Sequence, residues 1–468
     1  MTNNKDQFTP DLIKNEVIER NKKIGQDACE IIASAIQAAD PYQCVVNNIS
    51  NDGGIIRIGS REISESEYDR IFVIGMGKAS PPMARAVIDV LENKIEFATI
   101  VTKDQRFLSE SGYGGLLSIH IGDHPVPSTG SIKATRTILE KIPTLTSKDL
   151  VIVLISGGGS ALFTLPAPGI SLGDIQRMTA LLLRCGADIN EINSVRKRLD
   201  VVKGGGLAKI LNPAQVHTLI LSDVIGDPLD MIASGPTVPD STKTKDALNI
   251  IEKYNLEPEL PNSILLHLKK EIAGENGNLS PASPGNFIDA NHVLIGSNFT
   301  SAKAAHKKAL ALGYNSQIIS THLTGMTKNV AEFLGGIIET EIIHNVPIQK
   351  PACLIFGGET TVKVTGSGLG GRNQDLALHM VQRLAGKEGI LFISFATDGD
   401  DGPTDAAGGA VDGLLYNDDV LEQALDVQKF IENNDAYHYL EQTGALIKTG
   451  ATGTNVNDLV VIIIDKLV

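Results

Sequence analysis

The chain has 468 residues, of which 42% are hydrophobic and 21% are charged. This length exceeds what one hydrophobic core usually supports, so we expect two domains. The net charge of −14 argues against nucleic acid and anionic membranes as partners, although a local basic cluster can still attract an anionic small molecule.

The cysteines and the N-terminus bear on the cellular compartment. The four cysteines are scattered without the spacing of a zinc site or a disulfide framework. The N-terminus lacks an apolar segment typical of a signal peptide, and the longest apolar runs are too short to cross a membrane. We therefore expect a cytoplasmic protein.

Short apolar runs alternate with amphipathic stretches along most of the chain. Because the runs are apolar at consecutive positions, they predict strands buried on both faces of parallel or mixed sheets, which helices must cover. The runs are RIFVIG, FATIVT, LVIVLIS, VHTLILSD, HVLIGS, NSQIIS, ACLIFGG, ILFISFAT and DLVVIIID. This order predicts an α/β fold.

One segment interrupts this pattern. Residues Gly274 to Asn286 read GENGNLSPASPGN, which is rich in Gly, Ser, Pro and Asn and has no apolar periodicity. We interpret it as a linker or a long loop, which predicts an N-terminal domain over residues 1–285 and a C-terminal domain over 286–468. A cleft between two α/β domains is a common place for a ligand.

The first glycine loop follows the strand RIFVIG. It contains Gly75, Gly77 and Lys78, and then Ser80 as the expected N-cap of a helix, with Pro81 at its first position. A helix N-terminus beside a lysine favours bound phosphate or carboxylate. The loop matches neither the Walker A nor the dinucleotide fingerprint, so an ordinary strand-to-helix turn stays open as the alternative.

The second glycine loop follows the strand LVIVLIS. Three consecutive glycines usually mark a place where another group approaches the backbone. A nucleophile elbow would need glycine where Leu162 stands, so we favour a ligand cradle or a structural turn over a serine hydrolase. The binding candidates are Ser156, Gly157, Gly158, Gly159 and Ser160.

The third glycine loop carries a basic cluster in an otherwise acidic chain. The sequence VRKRLDVVKGGGLAK places basic residues before Gly204–Gly206. We consider Arg196 and Lys203 as candidates for an anion clamp. A solvated basic helix face is the equally weighted alternative.

The fourth glycine region runs from Gly358 and Glu359 to Gly371 and Arg372. These residues are candidates for substrate or nucleotide binding. Asn373 is the expected N-cap of the following helix, so Arg372 would stand at a helix N-terminus, where it could bridge a phosphate. The alternative is a surface arginine in a loop.

An aspartate-rich stretch, TDGDDGPTDAAGGAVDG, follows the strand ILFISFAT. It does not fit an EF-hand, since the bidentate glutamate is missing. Magnesium with phosphate is the better match, because Mg²⁺ takes one or two carboxylates and completes its shell from phosphates and water. Asp398 and Asp401 are the candidate ligands, and Asp223 stands in a similar position after another strand.

Eight stretches taken together resemble the glycerate 2-kinase family, whose C-terminal part is called the MOFRL domain. They occur in the family's order and cover most of the chain from about residue 70 to 460. The stretches are VIGMGKAS, GDHPVPS, LISGGGSAL, NSVRKRLDVVKGGGLA, LSDVIGDPLDMIASGPTVPD, GGETTVKVTGSGLGGRNQDLAL, ATDGDDGPTDAAGG and TGTNVNDL.

The resemblance implies both a fold and an activity. The implied fold is a Rossmann-like three-layer α/β/α N-terminal domain and a smaller α/β C-terminal domain with a mixed sheet. The implied activity is the ATP- and Mg²⁺-dependent phosphorylation of the 2-hydroxyl of D-glycerate in the cleft between the domains. Lys78 and Arg372 would be the principal catalytic cations.

Further roles are compatible with this chemistry. Asp223 is our choice of proton acceptor for the attacking hydroxyl. His124 could bond a substrate oxygen or could be structural. Thr454 and Asn455 precede the last strand and could touch nucleotide or substrate.

Two rival functions and one open question remain at this stage. The family has also carried the name hydroxypyruvate reductase, but the loop at Gly75 lacks the third glycine of a dinucleotide site and no acidic residue follows at the required spacing. A non-catalytic sensor of a phosphorylated metabolite is the second rival. A homodimer is an option that the sequence leaves open.

Overall fold

The computed structural model describes residues 8–109, 113, 115–274, 290–416 and 426–466. The chain forms two compact units. We call residues 41–295 the central unit, and residues 1–40 together with 296–468 the terminal unit.

The strands are numbered in chain order. They are β1 (Ile49–Asp52), β2 (Ile55–Ile58), β3 (Arg61–Ser64), β4 (Arg70–Met76), β5 (Ile95–Thr102), β6 (Leu117–Ile121), β7 (Asp149–Ile155), β8 (Gln215–Leu221), β9 (Asn291–Gly296), β10 (Asn315–Met326), β11 (Ala352–Thr361), β12 (Ile390–Ala396), β13 (Gly408–Asp412), β14 (Leu446–Ile447) and β15 (Asp458–Ile464). Each of the nine predicted apolar runs is a strand.

The α-helices are numbered in the same way, and short 3₁₀ turns supplement them. They are α1 (Glu16–Arg20), α2 (Lys22–Ala38), α3 (Pro41–Val46), α4 (Ser80–Leu91), α5 (Thr129–Lys141), α6 (Gly159–Leu162), α7 (Leu172–Arg184), α8 (Ile189–Arg198), α9 (Gly206–Leu211), α10 (Thr244–Lys253), α11 (Asn262–Ile272), α12 (Asn298–Ala311), α13 (Thr327–His344), α14 (Arg372–Leu384), α15 (Val427–Glu432) and α16 (Ala436–Gln442). No helix in the described ranges has both the length and the apolarity needed to span a membrane.

The central unit is built on a sheet with the strand order β6-β5-β4-β7-β8-β9. Strands β4 to β8 are paired in parallel. The chain moves outward from β4 to β6 and then returns to β7 on the other side of β4. The order therefore reverses between β4 and β7, and such a switch point is where open α/β sheets bind ligands.

The terminal unit contains a mixed sheet with the order β10-β11-β15-β12-β13-β14. Strands β10 and β11 are parallel, whereas β15 runs antiparallel to both β11 and β12. Strands β11, β12 and β15 are buried along nearly their whole length. The predicted α/β fold with one mixed sheet is thereby confirmed.

The N-terminal segment belongs to the terminal unit. Ser301 Oγ in α12 donates to Ala35 O in α2 at 2.8 Å, and Tyr314 donates to Asp27 at 2.7 Å. Buried side chains of α2, including Ile31, join the core that contains β11, β12 and β15. This segment therefore completes the terminal unit.

The division into units differs in two places from the one drawn at residue 285. Residues 8–40 pack with the C-terminal half, and β9, which follows the predicted linker, lies in the central sheet. The apolar face of an amphipathic helix does not reveal which sheet it covers, and this explains the first difference. Residues 275–289 of the predicted linker lie outside the described residues.

Candidate active site

The loops after β4 and β7 interlock at the switch point of the central sheet. Lys78 N donates to Gly157 O at 2.9 Å, and Ala79 N donates to Ser156 Oγ at 3.0 Å. Gly77, with a φ of 116°, permits this approach, because a Cβ there would lie 2.3 Å from Ser156 Oγ. The first and second predicted glycine loops therefore form one structure.

Two candidate side chains pack closely against the glycines that follow β7. A Cβ at Gly157 would lie 2.1 Å from Asp223 Oδ2, and one at Gly158 would lie 2.9 Å from the His124 ring. Gly158 also has a φ of 82°. Larger residues would displace the carboxylate and the imidazole, which explains the glycines.

Lys78 and His124 are electrostatic neighbours in this region. Burial, followed by the charges of Lys78 and Lys103, lowers the pKa of His124 to about 4. The imidazole is therefore neutral near pH 7, and one of its ring nitrogens can donate a hydrogen bond while the other can accept one. Among the described residues, no side chain pairs with the Lys78 ammonium, so this cation remains available to an anion.

A pocket of about 360 Å³ opens beside the second glycine loop. We call it the central pocket. Its walls come from residues 124–127, 158–161 and 223–233 and from helices α7 and α8, and it also includes Lys203. Of the predicted site residues, His124, Ser160, Arg196, Lys203 and Asp223 all line it.

Lys203 is held rigidly at the wall of the central pocket. Its Nζ donates to Ser160 O at 2.8 Å and Phe163 O at 3.0 Å and lies 3.5 Å from Asp200. Burial lowers the pKa of Lys203, and the Asp200 carboxylate opposes this change. Lys203 therefore stabilises the main chain around Ser160 through these hydrogen bonds.

Arg196 differs from Lys203 because no carboxylate in the described part of the chain comes within ion-pair distance of its guanidinium. Burial lowers the pKa of Arg196, and the more distant Asp200 opposes this effect. An arginine that faces a pocket without a paired acid is suited to bind a phosphate or a carboxylate.

The other basic residues of α8 are neither a solvated face nor part of a clamp. Lys197 lies 3.3 Å from Asp230, and Arg198 pairs with Asp240. Both basic side chains are almost completely buried. They tie α8 to the segment that follows β8.

The main chain of the third glycine loop is already engaged. Gly204 N donates to Ser234 O at 3.0 Å, and Gly205 N donates to Gly235 O at 2.7 Å. These amides are therefore not free to cradle an anion. Of the proposed clamp, the structure brings only the side chains of Arg196 and Lys203 to the pocket.

Ser160 takes part in a short chain of polar contacts. Its Oγ lies 2.9 Å from Ser234 Oγ, which in turn donates to Asn193 Oδ1 at 3.1 Å. This chain contains no base that could activate Ser160, in agreement with the low weight given to a serine hydrolase.

In the terminal unit, the first residue of β15 lies beside the ends of two other strands. Asp458 pairs in register with Gly358 of β11 and with Ala396 of β12. Because β15 is antiparallel to both neighbours, its amino end meets their carboxyl ends. The candidate residues Gly358, Glu359 and Asp398 therefore lie at the same end of these neighbouring strands.

Two carboxylates hold Arg372 at this end of the strands. Its Nη2 donates to Asp458 Oδ1 at 2.9 Å, its Nε donates to the other oxygen, and its Nη1 lies 3.1 Å from Glu359. Burial disfavours the charged guanidinium, but Asp458 outweighs burial and raises the pKa of Arg372. Burial raises the pKa of the Asp458 carboxyl, and Arg372 opposes that rise. About a third of the arginine side chain stays exposed.

Asp401 caps helix α14 from a distant part of the chain. Its Oδ1 accepts from Asn373 N at 3.1 Å, and its Oδ2 accepts from Gln374 N at 2.9 Å and from Gln374 Nε2 at 3.0 Å. Gly371 makes room, since a Cβ there would lie 2.3 Å from the carboxyl carbon. With both oxygens engaged by amide groups, Asp401 is poorly suited to hold a metal.

Two predicted N-caps are wrong. Helix α4 has Ala79 at the N-cap position, and Ser80 Oγ donates instead to Gly77 O at 2.8 Å. Helix α14 begins at Arg372, with Gly371 at the N-cap position and Asn373 inside the helix. Asp401 takes over the capping that a local side chain usually provides.

The other aspartates of the acidic stretch also have partners. Asp412 accepts from Arg20 Nε at 3.0 Å, and Lys448 lies 2.9 Å from Asp405. Asp398 Oδ1 accepts from Asp400 N at 3.1 Å. The stretch therefore combines turns, a helix cap and ion pairs, and only Asp398 keeps the predicted position at a strand end.

The two candidates before β15 occupy different environments. Thr454 is buried, and its hydroxyl donates to Ala39 O, so it ties the N-terminal segment to the terminal sheet. Asn455 is partly exposed, and its Oδ1 accepts from Asn457 N at 3.1 Å.

Sequence reasoning missed Asp458 and Asn193. Asp458 is an acidic residue at the start of a wholly apolar strand, and that position is the signal that could have revealed it. Asn193 lies on α8 one turn before Lys197 and carries no such signal. Among the described residues, no group of three or more His, Cys, Asp or Glu side chains could hold a metal ion.

Comparisons with known proteins identify the family of the chain. Residues 27–269 match the model of a domain of unknown function, DUF4147, and residues 352–458 match that of the MOFRL family. A D-glycerate 2-kinase from Thermotoga maritima is 41% identical over 93% of this chain and 97% of its own length. The chain belongs to the glycerate 2-kinase family.

Further members of the glycerate 2-kinase family support this assignment. A glycerate 2-kinase from Pyrococcus horikoshii is 41% identical over 93% of this chain and 96% of its own, and a human glycerate kinase is 34% identical over 93% and 92%. The crystal structure of glycerate kinase from Thermotoga maritima superposes with a TM-score of 0.80 at 40% identity, covering 94% of this chain and 99% of that one. The resemblance found in the eight motifs is confirmed.

Proposed function

We propose that this protein transfers the γ-phosphoryl group of ATP to the 2-hydroxyl of D-glycerate and yields 2-phosphoglycerate. The observation that carries the proposal is the unpaired Lys78 ammonium beside the interlocked glycine loops at the sheet's switch point. A lysine ammonium without a paired carboxylate, next to close-packed main chain, suits a transferring phosphoryl group. Membership of a family whose relatives are named as kinases supports the same reaction.

The residues have distinct roles in the proposed reaction. The 2-hydroxyl oxygen forms a bond to the γ-phosphorus, the bond from that phosphorus to the bridging oxygen breaks, and ADP leaves. Asp223, at the pocket wall, accepts the hydroxyl proton. Lys78 and Arg372 stabilise negative charge on the phosphoryl group or on the substrate carboxylate.

The metal requirement belongs to the same proposal. Mg²⁺ typically uses one or two protein carboxylates and completes its shell with phosphate oxygens and water. Asp398, which follows β12, is the carboxylate that we propose for this role, whereas both oxygens of Asp401 are engaged. The bound ion would neutralise charge on the phosphates of ATP.

The rival reductase is less compatible with the central sheet. In a dinucleotide site, an acidic residue at the end of the next strand binds the ribose. Strand β5 ends in Thr102 and is followed by Lys103, and the next acidic residue, Asp104, binds Arg106 Nε at 3.0 Å. The described part of this strand end therefore offers no acid for a ribose.

The decisive experiment mixes the protein with ATP, Mg²⁺ and D-glycerate and couples the product to enolase, which accepts only the 2-phospho isomer. We expect steady product formation that depends on both ATP and the metal. L-Glycerate serves as the control substrate. Consumption of NADH with hydroxypyruvate, in the absence of ATP, would instead support the reductase. A cytoplasmic location and a homodimer remain predictions from the sequence.

A further inference from the structure

The central pocket is larger and more apolar than D-glycerate requires. Pockets for small organic ligands start at about 300 Å³, and this one measures about 360 Å³. D-Glycerate is a three-carbon acid with no apolar surface to match the side chains of Ile175, Val224 and Met231 in the wall. A larger ligand with a flat apolar part fits the space better.

The rim of the central pocket exposes three apolar side chains. Val126 is 57% exposed, Leu183 is 64% exposed and Ile189 is 58% exposed, and all three line the pocket. They come from the segment after β6, the last turn of α7 and the first turn of α8. Apolar side chains grouped at a pocket mouth are typical of a ligand-binding surface.

One face of helix α7 packs into the protein core, and another face lines the pocket. Met178, Leu181 and Leu182 are buried in the core. Thr179 and Leu183 lie one turn apart and line the pocket. The outer end of this second face carries Leu183, whose side chain is exposed.

The lining of the pocket also includes two basic side chains. Lys203 is buried to 4% exposure and holds the Ser160 loop, while Arg196 has no paired carboxylate. The pocket thus combines exposed apolar side chains with an arginine that lacks a carboxylate partner within ion-pair distance among the described residues. A nucleotide combines the matching features, because its base is flat and weakly polar and its phosphates are anionic.

We propose that the central pocket binds the nucleoside of ATP, with the base against Val126, Leu183 and Ile189 and the phosphates directed towards Arg196 and the glycine loop. This inference rests on the proposed kinase activity and assigns one of its two substrates to the central unit. D-Glycerate then binds outside the apolar part of the pocket.

The test uses the full-length chain and two matched variants. Leu183→Ser removes an apolar contact at the rim, and Leu266→Ser removes an equally exposed leucine, 59% exposed, from α11 away from the pocket. We expect Leu183→Ser to raise the KM for ATP about fivefold. The KM for D-glycerate should not change, and Leu266→Ser should change neither value.

A binding measurement separates this inference from the kinase proposal. Calorimetry with adenosine, which lacks phosphates, should detect binding to the wild type and to Leu266→Ser and weaker binding to Leu183→Ser. If the wild type makes 2-phosphoglycerate but Leu183→Ser changes neither the affinity for ATP nor that for adenosine, the pocket assignment is overturned. The kinase proposal would then still stand. Adenosine binding without any product would support the pocket and overturn the kinase. Conversion of a dimer to a monomer by Leu183→Ser, with ATP binding intact, would identify the rim as an interface and refute the inference.

Discussion

Lys78 and Arg372 have the same proposed task, but the fold holds them differently. Lys78 has no paired carboxylate among the described residues, whereas Arg372 binds Asp458 through two nitrogens and also contacts Glu359. The two residues should therefore respond differently to removal. The difference provides a way to separate catalysis from stability.

We expect Lys78→Ala to lower kcat by about a hundredfold or more, since one group that stabilises transition-state charge typically contributes that much. The Tm should stay close to that of the wild type, because no ion pair is lost. The enolase-coupled assay and scanning calorimetry measure the two quantities. Loss of cooperative unfolding in this variant would identify Lys78 as structural.

We expect Arg372→Ala to lower both turnover and stability. The substitution leaves the buried Asp458 carboxylate without its partner, at a cost of about 2 kcal/mol or more. The double variant R372A/D458N should recover most of the lost stability without recovering turnover. Urea unfolding provides the stabilities, and a double variant as unstable as R372A would contradict this explanation.

His124 should make stability depend on pH. The pKa of His124 is about 4 in the folded chain, below the ordinary histidine value of about 6.5, so between these pH values the unfolded chain binds a proton that the folded chain does not. The free energy of unfolding therefore falls as the pH drops from about 6.5 to 4, because protonation of His124 favours the unfolded chain. In His124→Asn the loss of Tm over this range should be smaller than in the wild type. An identical slope in that variant and in a variant of the exposed His322 would refute the assignment.

At the scale of elements, burial explains which strands the sequence revealed. The nine predicted runs are continuous and apolar because helices or neighbouring strands cover both faces. Strand β6 was missed because it is an edge strand with only partly buried residues. Strand β13 was not predicted because it contains Gly408 and Gly409 and lies in a stretch rich in aspartate.

The glycines of β13 are explained by close packing. A Cβ at Gly408 would lie 2.0 Å from Ser394 O of β12, and one at Gly409 would lie 2.8 Å from Ala377 of α14. Glycine is unfavourable in a strand by local preference. Here the narrow space between β12 and α14 requires glycine within a strand. A single sequence does not show how close these two elements lie.

The distant cap of α14 can be tested directly. Asp401→Ala should destabilise the protein by about 2 kcal/mol, because it removes the acceptor for the first amides of a buried helix. Asp400→Ala, at an exposed neighbour, should change stability little. Urea unfolding compares the two variants. Equal stabilities would show that α14 does not depend on this carboxylate.

At the scale of the whole molecule, the N-terminal segment determines whether the terminal unit is complete. Val17, Ile31 and Ile32 are fully buried in the core formed with β11, β12 and β15. Their removal would expose apolar surface that has no other cover in the described structure. The position of this segment at the start of the chain gave no hint of that role.

A chain that begins at residue 41 should therefore lose the folding of its terminal unit. We expect a broad or absent thermal transition for that unit and rapid proteolysis within residues 296–468, while the central unit keeps a cooperative transition. Calorimetry and limited proteolysis followed by mass spectrometry distinguish the two parts. Full protection of residues 296–468 in the shortened chain would contradict the assignment of the segment.

The sequence by itself determined the local features: buried strands, glycine loops at their ends, and eight motifs specific enough to reveal the family. Tertiary structure alone decided which groups meet. Asp458 reaches Arg372 because β15 runs antiparallel between β11 and β12, Asp401 caps a helix far along the chain, and residues 8–40 join the C-terminal half. The physical reason is that strand propensity and glycine turns act over neighbouring residues, whereas ion pairs, distant caps and core partners depend on contacts between residues remote in sequence.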